Sequence, residues 1–396
     1  MKRTIQILLI LALSHSGMLA QTVYTEQQVI DLTIKNSHSI NAATLATQQN
    51  RQLQKGGFNL ADPSVSVDFS SDGIEEIEVS QSFEFPSVYV KQGQLRKQQT
   101  LLAEKQQAIT TNDVKRLVRL LYLELQYRQA LLEQLKVQDS LYNQIAISAQ
   151  RQFDAGQIDF LAKTFTAAQY GDIHIRYLQA LAEQQALQQQ LKIYTGINDS
   201  IVVEALVMTP LSGQIQLSDI VDSTTLLSLP NIQYWMQQQT ISRKSLALER
   251  NRVLPGFVVG YAYDREFLPA EHRFRAGITV PLWFWQYRGS INAARIGVKV
   301  AEEQTLAQQQ AVNSQLSQAK GELSKYSQSL EYFNSIGIQQ TNDIISSSQR
   351  FFESGETDYI SNLRNINDAY AIKLRYLETL KGYNEAVIQI NYLTGN

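Results

Sequence analysis

Arg151-Gln152-Phe153-Asp154-Ala155-Gly156 recurs, loosely spelled, as Arg350-Phe351-Phe352-Glu353-Ser354-Gly355, with the two glycines 199 residues apart. The same interval separates Tyr194-Thr195-Gly196 from Leu393-Thr394-Gly395. Further out, Asp62-Pro63-Ser64-Val65 lines up with Leu254-Pro255-Gly256-Phe257 at an interval of 192. Phe85-Pro86-Ser87-Val88 lines up with Val280-Pro281-Leu282-Trp283 at 195. Four landmarks in one order mark an internal duplication, with a few residues added in the second copy. Each copy reads helix, proline, alternating stretch, proline, long helix, glycine turn, helix, Thr-Gly stop. The first repeat is predicted over residues 21–198, with a hairpin at about 63–86, a long helix at about 87–151 and a helix at about 158–195. The second covers 218–396, with a hairpin at about 255–283 and helices at about 286–352 and 358–394. Residues 199–217 link the two.

The alternating stretches read as strands. Val65, Val67 and Phe69 alternate with Ser64, Ser66 and Asp68, and Ser71-Asp72-Gly73 supplies a turn. The return strand sets Ile77, Val79, Phe83 and Phe85 on one face and Glu76, Glu78 and Glu84 on the other. In the second copy Phe257, Val259, Tyr261 and Tyr263 alternate with Val258, Gly260, Ala262 and Asp264. After a loop at 265–272 come Phe274, Ala276, Ile278 and Val280, with Arg273 and Arg275 between them. Each strand is predicted at about 9–11 residues, the length of a tilted membrane strand. No other stretch reads as strand, so there is no second sheet to make a soluble sandwich. Four strands cannot close a membrane barrel, and lipid does not tolerate open edges. Spanning strands therefore require several chains to share one barrel.

Few helix breakers occur, with 7 Pro and 19 Gly in 396 residues, and Gln recurs in tracts such as Gln188–Gln190 and Gln237–Gln239. Val114, Val118, Leu121 and Leu125 open a 4-3 spaced seam, which Arg128 and Asp139 interrupt. Val312, Leu316, Ala319 and Leu323 repeat it. Such spacing predicts coiled-coil packing. An uninterrupted helix over 87–151 would be roughly 100 Å long.

Lys2 and Arg3 before the apolar run Ile5–Leu13, ending near Ala20, give residues 1–20 the form of a secretory signal. Zero Cys excludes disulfide scaffolds, Cys-ligated metals, thiol nucleophiles and a thioether-linked lipid anchor. A net charge of −2 argues against a nucleic-acid partner, and 44% apolar residues exclude a disordered polyelectrolyte. The mean hydropathy of −0.23 is compatible with membrane strands, half of whose residues face water.

Taken in order, the duplicated halves, the proline-bounded hairpins, the paired Gly156 and Gly355 turns and the closing Thr-Gly resemble the TolC family of outer-membrane efflux proteins, over about Val23 to Asn396. The resemblance implies a mainly α fold with a small membrane β part. Three chains would form an α-helical coiled-coil tunnel topped by a 12-stranded β-barrel, four strands per chain. It implies a homotrimer in the outer membrane of a Gram-negative bacterium, in contact with outer-membrane lipid and reaching into the periplasm. A periplasmic adaptor and an inner-membrane pump would be its partners, with the resistance–nodulation–division type favoured. The cargo would be a heavy metal or other cation, or a drug. Alternatives are the duct of a type I protein secretion system and, in a different class, a soluble periplasmic adaptor or scaffold.

In that frame the barrel lumen is expected to carry Asp68, Glu76, Glu78, Glu84, Arg273 and Arg275. The periplasmic tip and gate candidates are Gly156, Asp159, Gly355, Glu356, Asp358, Arg364 and Asp368. The acidic ring of much of the family is not carried over, because Ser361 and Arg364 stand six and nine residues past Gly355. Ile197 to Leu217 is expected to supply most of the mid-tunnel girdle. His38, His174 and His272 lack metal-ligand spacing, and no nucleotide-binding or hydrolase motif occurs. No catalysis, cofactor or metal is expected. The chain reads as a passive conduit.

Overall fold

A computed structural model describes residues 23–70, 73–211, 227–264 and 271–395. The signal at 1–20, Ser71 and Asp72 of the first hairpin turn, most of the 265–272 loop, residues 212–217 of the linker and the start of the second repeat lie outside the described residues. The elements run β1 (Val23–Tyr24), α1 (Glu26–Asn36), α2 (His38–Lys55), β2 (Ser64–Ser70) and β3 (Gly73–Phe83). They continue with α3 (Pro86–Asp154), α4 (Phe160–Thr195), β4 (Val202–Val203), α5 (Pro230–Asn251), β5 (Gly256–Asp264) and β6 (Glu271–Thr279). Last come α6 (Phe284–Tyr332), a π-helical segment (Phe333–Gly337), α7 (Ile338–Glu353) and α8 (Tyr359–Thr394).

The duplication is written in the backbone. Five glycines have positive φ, and four of them form two pairs 199 residues apart, Gly156 with Gly355 and Gly196 with Gly395. A left-handed residue ends a helix by letting the last carbonyls find N–H partners, and glycine does so without strain.

The chain divides into two compact units. One comprises residues up to Ser37, Lys115–Pro210 and Gly321–Gln389. Its core contains Val29, Ile30, Val118, Tyr122, Leu125, Leu191, Ile201 and Val203. Here the expectation of no further strands is corrected, because β1 and β4 pair in parallel, Val23 with Val202 and Tyr24 with Val203. Two residues per strand are too few for alternation to show. The buried Tyr122 hydroxyl donates to Tyr24 O at 2.8 Å and accepts from Glu204 N at 3.1 Å, so one phenol bridges both strands. Burial pushes its pKa up to about 12. The linker after β4 is held by Asn384 of α8, whose amide donates to Val207 O at 2.8 Å and accepts from Thr209 N at 2.9 Å. Asn384 is buried, and its side chain does for the linker what a neighbouring strand would do.

In the same unit Arg128, one of the residues that break the first seam, pairs with Glu124 and Glu183, while Lys381 of α8 also pairs with Glu124. The other, Asp139, meets His174 of α4 at 2.9 Å. Burial acts to raise the Glu124 pKa, but hydrogen bonds from Lys381 and Arg128 outweigh it and hold the carboxyl below its usual 4.5.

The second unit comprises His38–Val114, Leu211–Lys320 and Ile390–Asn396. It contains the β2–β3–β5–β6 sheet and the helix segments flanking it. Its helices are joined largely by amides and hydroxyls. Gln107 accepts from Thr47 at 3.2 Å and donates to Thr44 at 2.9 Å, and Gln237 donates to both the backbone and the side-chain oxygen of Gln98. Part of the glutamine content is thus spent on interhelix hydrogen bonds.

The two long helices differ by one residue. α3 has 69, whereas α6, the π segment and α7 total 70 from Phe284 to Glu353. Buried Val118 and Leu125 of the first match buried Leu316 and Leu323 of the second at an interval of 198. Beyond the π segment, buried Tyr142 and Ala149 match buried Thr341 and Ser348 at 199. The interval therefore changes by one across Phe333–Gly337. The sequence reading of one continuous helix over 286–352 is corrected there. A π turn accommodates one extra residue, so the insertion is absorbed locally.

Two outcomes follow from this packing. Deleting exposed Ser335 should restore an uninterrupted α-helix and shift the melting temperature by only a few degrees. Deleting exposed Gln310 turns every later seam position by about 100° until the π segment is reached, and should prevent folding or lower the melting temperature by tens of degrees. Equal damage from both deletions would refute the insertion account. For Glu124, the depressed pKa places its contribution above about pH 4.5 and removes it as pH falls through the lowered folded value. Acid titration followed by circular dichroism should show the wild type losing more stability between about pH 5 and about pH 3 than Glu124→Gln.

Candidate functional site

The sheet and the helix-tip turns hold the residues singled out in the sequence. In the sheet, antiparallel registers fix the faces. β2 pairs with β3 (Val65 with Val79, Val67 with Ile77, Asp68 with Glu76), and β3 pairs with β5 (Ile77 with Tyr263, Val79 with Tyr261). β5 pairs with β6 (Val259 with Ala276, Tyr261 with Phe274, Gly260 with Arg275). Directly paired residues share a face. One face therefore carries Val65, Val67, Val79, Val259, Ile77, Tyr261, Tyr263 and Phe274, and the other carries Asp68, Glu76, Glu78, Arg273 and Arg275, with Val258 among them. The strands have 7, 11, 9 and 9 residues, so β2 falls short of the expected 9–11. The register shifts between Asp68 and Phe69, leaving Glu75 outside the ladder as a bulge.

The apolar face is bare. Val65 is 65% exposed, Phe69 72% and Phe274 84%. Aromatic rings gather at both ends of the strands. At the loop end Tyr263 lies 5.4 Å from His272, and nearer mid-strand Tyr261 lies 5.4 Å from Phe274. At the helix end Phe85 stacks on Phe257, and exposed Trp283 and Trp285 lie 5.1 Å apart. Aromatic girdles flanking an apolar band are the outer surface of a membrane barrel.

The polar face is cross-linked. Arg275 of β6 reaches over β5 to donate to Glu78 at 2.8 Å and to Glu76 at 2.9 Å on β3. It can do so because the β5 residues beside it on that face are the small Gly260 and Ala262, with Val258 and Asp264 beyond them. A Cβ on Gly260 would already lie 3.5 Å from Glu78 Oε1. The sequence reading missed this role for Gly260 and Ala262, since only the register shows that they lie under the arginine. Glu84 stands apart from the others. It lies beyond the end of β3, and its backbone N–H donates to Tyr89 Oη at 2.9 Å. The prolongation of the strand through Glu84 is corrected accordingly.

The tip turns are built alike. After α3, Gly156 N donates to Phe153 O and Gln157 N to Gln152 O, with Gly156 at φ +72°. After α7, Gly355 N donates to Phe352 O and Glu356 N to Phe351 O, with Gly355 at φ +78°. Three residues on, an aspartate caps the next helix. Asp159 accepts from Ala162 N at 2.7 Å, and Asp358 accepts from Ser361 N at 2.9 Å. Ser361 Oγ also donates to Asp358, and these hydrogen bonds hold the Asp358 carboxyl below its usual range. Glu356 accepts from Ser354 Oγ at 3.0 Å. Arg364 and Asp368 lie one turn apart on the exposed side of α8, opposite buried Leu363 and Ile366. The tip thus brings Glu356 and Asp358 into local capping bonds and leaves Arg364 and Asp368 projecting outward.

Among the described residues no group of three or more His, Asp or Glu could hold a metal ion, and no helix is long and apolar enough to cross a membrane. The latter says nothing about strands.

Capping makes a separable prediction. Asp358→Ala should cost about 1 kcal/mol, read as a lower melting temperature, whereas Asp358→Asn should retain most of the stability. Equal losses would mean that the charge matters and the cap does not.

Neither a family model nor a curated protein matches the sequence. Solved structures do match. CusC, described in terms of transmembrane channel formation, is 16% identical with a TM-score of 0.75, over 94% of this chain and 92% of that one. The CmeC outer membrane channel of Campylobacter jejuni is 14% identical with a TM-score of 0.77, over 93% and 85%. The outer membrane protein VceC of Vibrio cholerae is 10% identical with a TM-score of 0.77, over 94% and 96%. With its duplicated helices and its four-stranded sheet, the chain has the fold of the TolC-like outer-membrane channels.

Proposed function

We propose that three copies of this chain form the passive exit duct of a tripartite efflux system in the outer membrane of a Gram-negative bacterium. The observation that carries this reading is the four-stranded sheet, with one face apolar and exposed, the other charged, and both outer edges unpaired among the described residues. Three such sheets supply twelve strands, an even number that closes with threefold symmetry. The apolar faces then meet lipid, and the Arg275–Glu76–Glu78 face lines water.

The helices continue the duct into the periplasm, where the tip turns stand at its far end. A periplasmic adaptor and an inner-membrane pump, favoured as the resistance–nodulation–division type, would engage it there. The proton gradient or nucleotide that drives export belongs to the pump. Arg364 and Asp368 are the better gate candidates because their side chains face outward, whereas Asp159 and Asp358 are engaged as caps.

Two measurements test this. The protein should fractionate with the outer membrane, require detergent for extraction and migrate as a trimer; a monomer soluble without detergent would sink the reading. In a planar bilayer, Arg364→Ala and Asp368→Ala should each raise single-channel conductance. Unchanged conductance in both would remove them from the gate.

A further inference from the structure

The near-zero net charge hides a strongly uneven distribution. Taking the eighteen residues of α2, α3, α5 and α6 nearest the strands, we count eleven Lys or Arg against a single acid, Glu249. The rest of the chain holds 24 Lys and Arg against 36 Asp and Glu. The helix ends that meet the sheet are therefore basic and the remainder is acidic. Acids resume immediately past the counted stretches with Glu104 in α3 and Glu302 in α6, and Asp62 and Glu84 lie in the connections on the strand side.

Some of these cations cluster. Arg51, Lys55 and Lys97 are exposed around one shallow depression of about 440 Å³ between α2 and α3, with Gln54, Thr100, Leu101 and Glu104 completing its lining. Glu104 offsets Arg51 at 2.8 Å and leaves the depression with a net positive charge. Aromatics lie beside it toward the strands. Phe58, three residues past Lys55 and 69% exposed, lies tilted against buried Tyr89 at 4.8 Å, and elsewhere at the helix–strand boundary Trp283 and Trp285 are exposed.

We propose that this basic collar, centred on Arg51, Lys55 and Lys97, binds the anionic headgroups of phospholipids in the leaflet where the strands leave the membrane. The proposal rests on the membrane-duct reading, which brings the helix ends to the level of the headgroups. Charge complementarity selects the occupant. Lys and Arg beside a bilayer attract acidic lipids, and exposed Trp, Tyr and Phe sit at the boundary between headgroup and acyl chain. An amphipathic cation also lets its stem lie along apolar surface while the charge reaches a phosphate.

The test uses the detergent-purified trimer of the full chain with palmitoyl-oleoyl phosphatidylglycerol or the matching phosphatidylcholine in excess. Lipid retained per trimer is counted by native mass spectrometry. The wild type should retain several-fold more phosphatidylglycerol, and about 0.5 M salt should erase the preference. The triple variant Arg51→Gln, Lys55→Gln, Lys97→Gln should lose it, while Lys136→Gln, Arg350→Gln, Arg375→Gln, equally reduced in charge elsewhere, should keep it.

An undiminished preference in the collar variant overturns the proposal. Competition by inorganic phosphate at equal concentration also overturns it, because the site would then take a free anion. So does loss of binding to purified peptidoglycan in the collar variant with phosphatidylglycerol retention unchanged. Conductance in phosphatidylcholine bilayers separates the two readings. Channels formed by both wild type and collar variant leave the duct intact whatever the lipid result, whereas no channel from either removes the duct and the collar with it.

Discussion

Among the described residues β2 and β6 are each hydrogen-bonded on one side only. In water such an edge is a risk of aggregation, and in hydrocarbon it is a cost of several kcal/mol for every unsatisfied N–H or C=O. A sheet that offers lipid its valines and phenylalanines therefore demands that its edges be closed by something of the same geometry. Other copies of the chain are the simplest source. The rest of the architecture is consistent with that demand. β5 gives up side chains on its polar face so that Arg275 can reach across it, which ties β6 to β3 through a strand that would otherwise only separate them. In the proposed ring the long helices need only seams and amide contacts to hold them, because closure of the strands would fix where they begin.

What the sequence made legible, and what it left hidden, follows from the range of each interaction. Alternation in Val65–Phe69 and Phe257–Tyr263 is local, so the strands and their faces could be read directly. The glycine turns at Gly156 and Gly355 are local as well, and each aspartate three residues on is where a helix cap should stand. Tyr122 and Asn384 were opaque because their partners lie 98 and about 177 residues away in the chain. Nothing in the residues around Asn384 points to a partner in the linker. The β1–β4 pair was too short to leave a pattern. Among the candidate site residues, Asp68, Glu76, Glu78, Arg273 and Arg275 share one face as their parity required. The bonding of Asp358 to Ser361 could have been inferred from the three-residue spacing.

Polar groups do much of the joining here. Arg128 and Asp139 looked like faults in a coiled-coil seam, yet each meets a charged or titratable partner on a neighbouring helix. A buried amide or ion pair adds little net stability. It does penalise wrong registers, because a slipped helix would strand the group without a partner. In helices this long and this rich in glutamine, apolar seams alone would permit several alignments, and the polar contacts choose among them.

The π segment at Phe333–Gly337 has a consequence for how the two halves could diverge. A duplicated pair of helices keeps its two glycine turns level only if both copies advance by the same number of α-helical residues. An added residue anywhere in a plain helix would rotate and advance everything after it, and the second turn would arrive out of phase with the first. By looping out the surplus within five residues, the second copy keeps the sixteen residues of α7 and the tip beyond them in phase with the first copy. The halves are thereby free to drift in sequence, and even in length, while their ends stay level. The bulge preserves the record of one such length change.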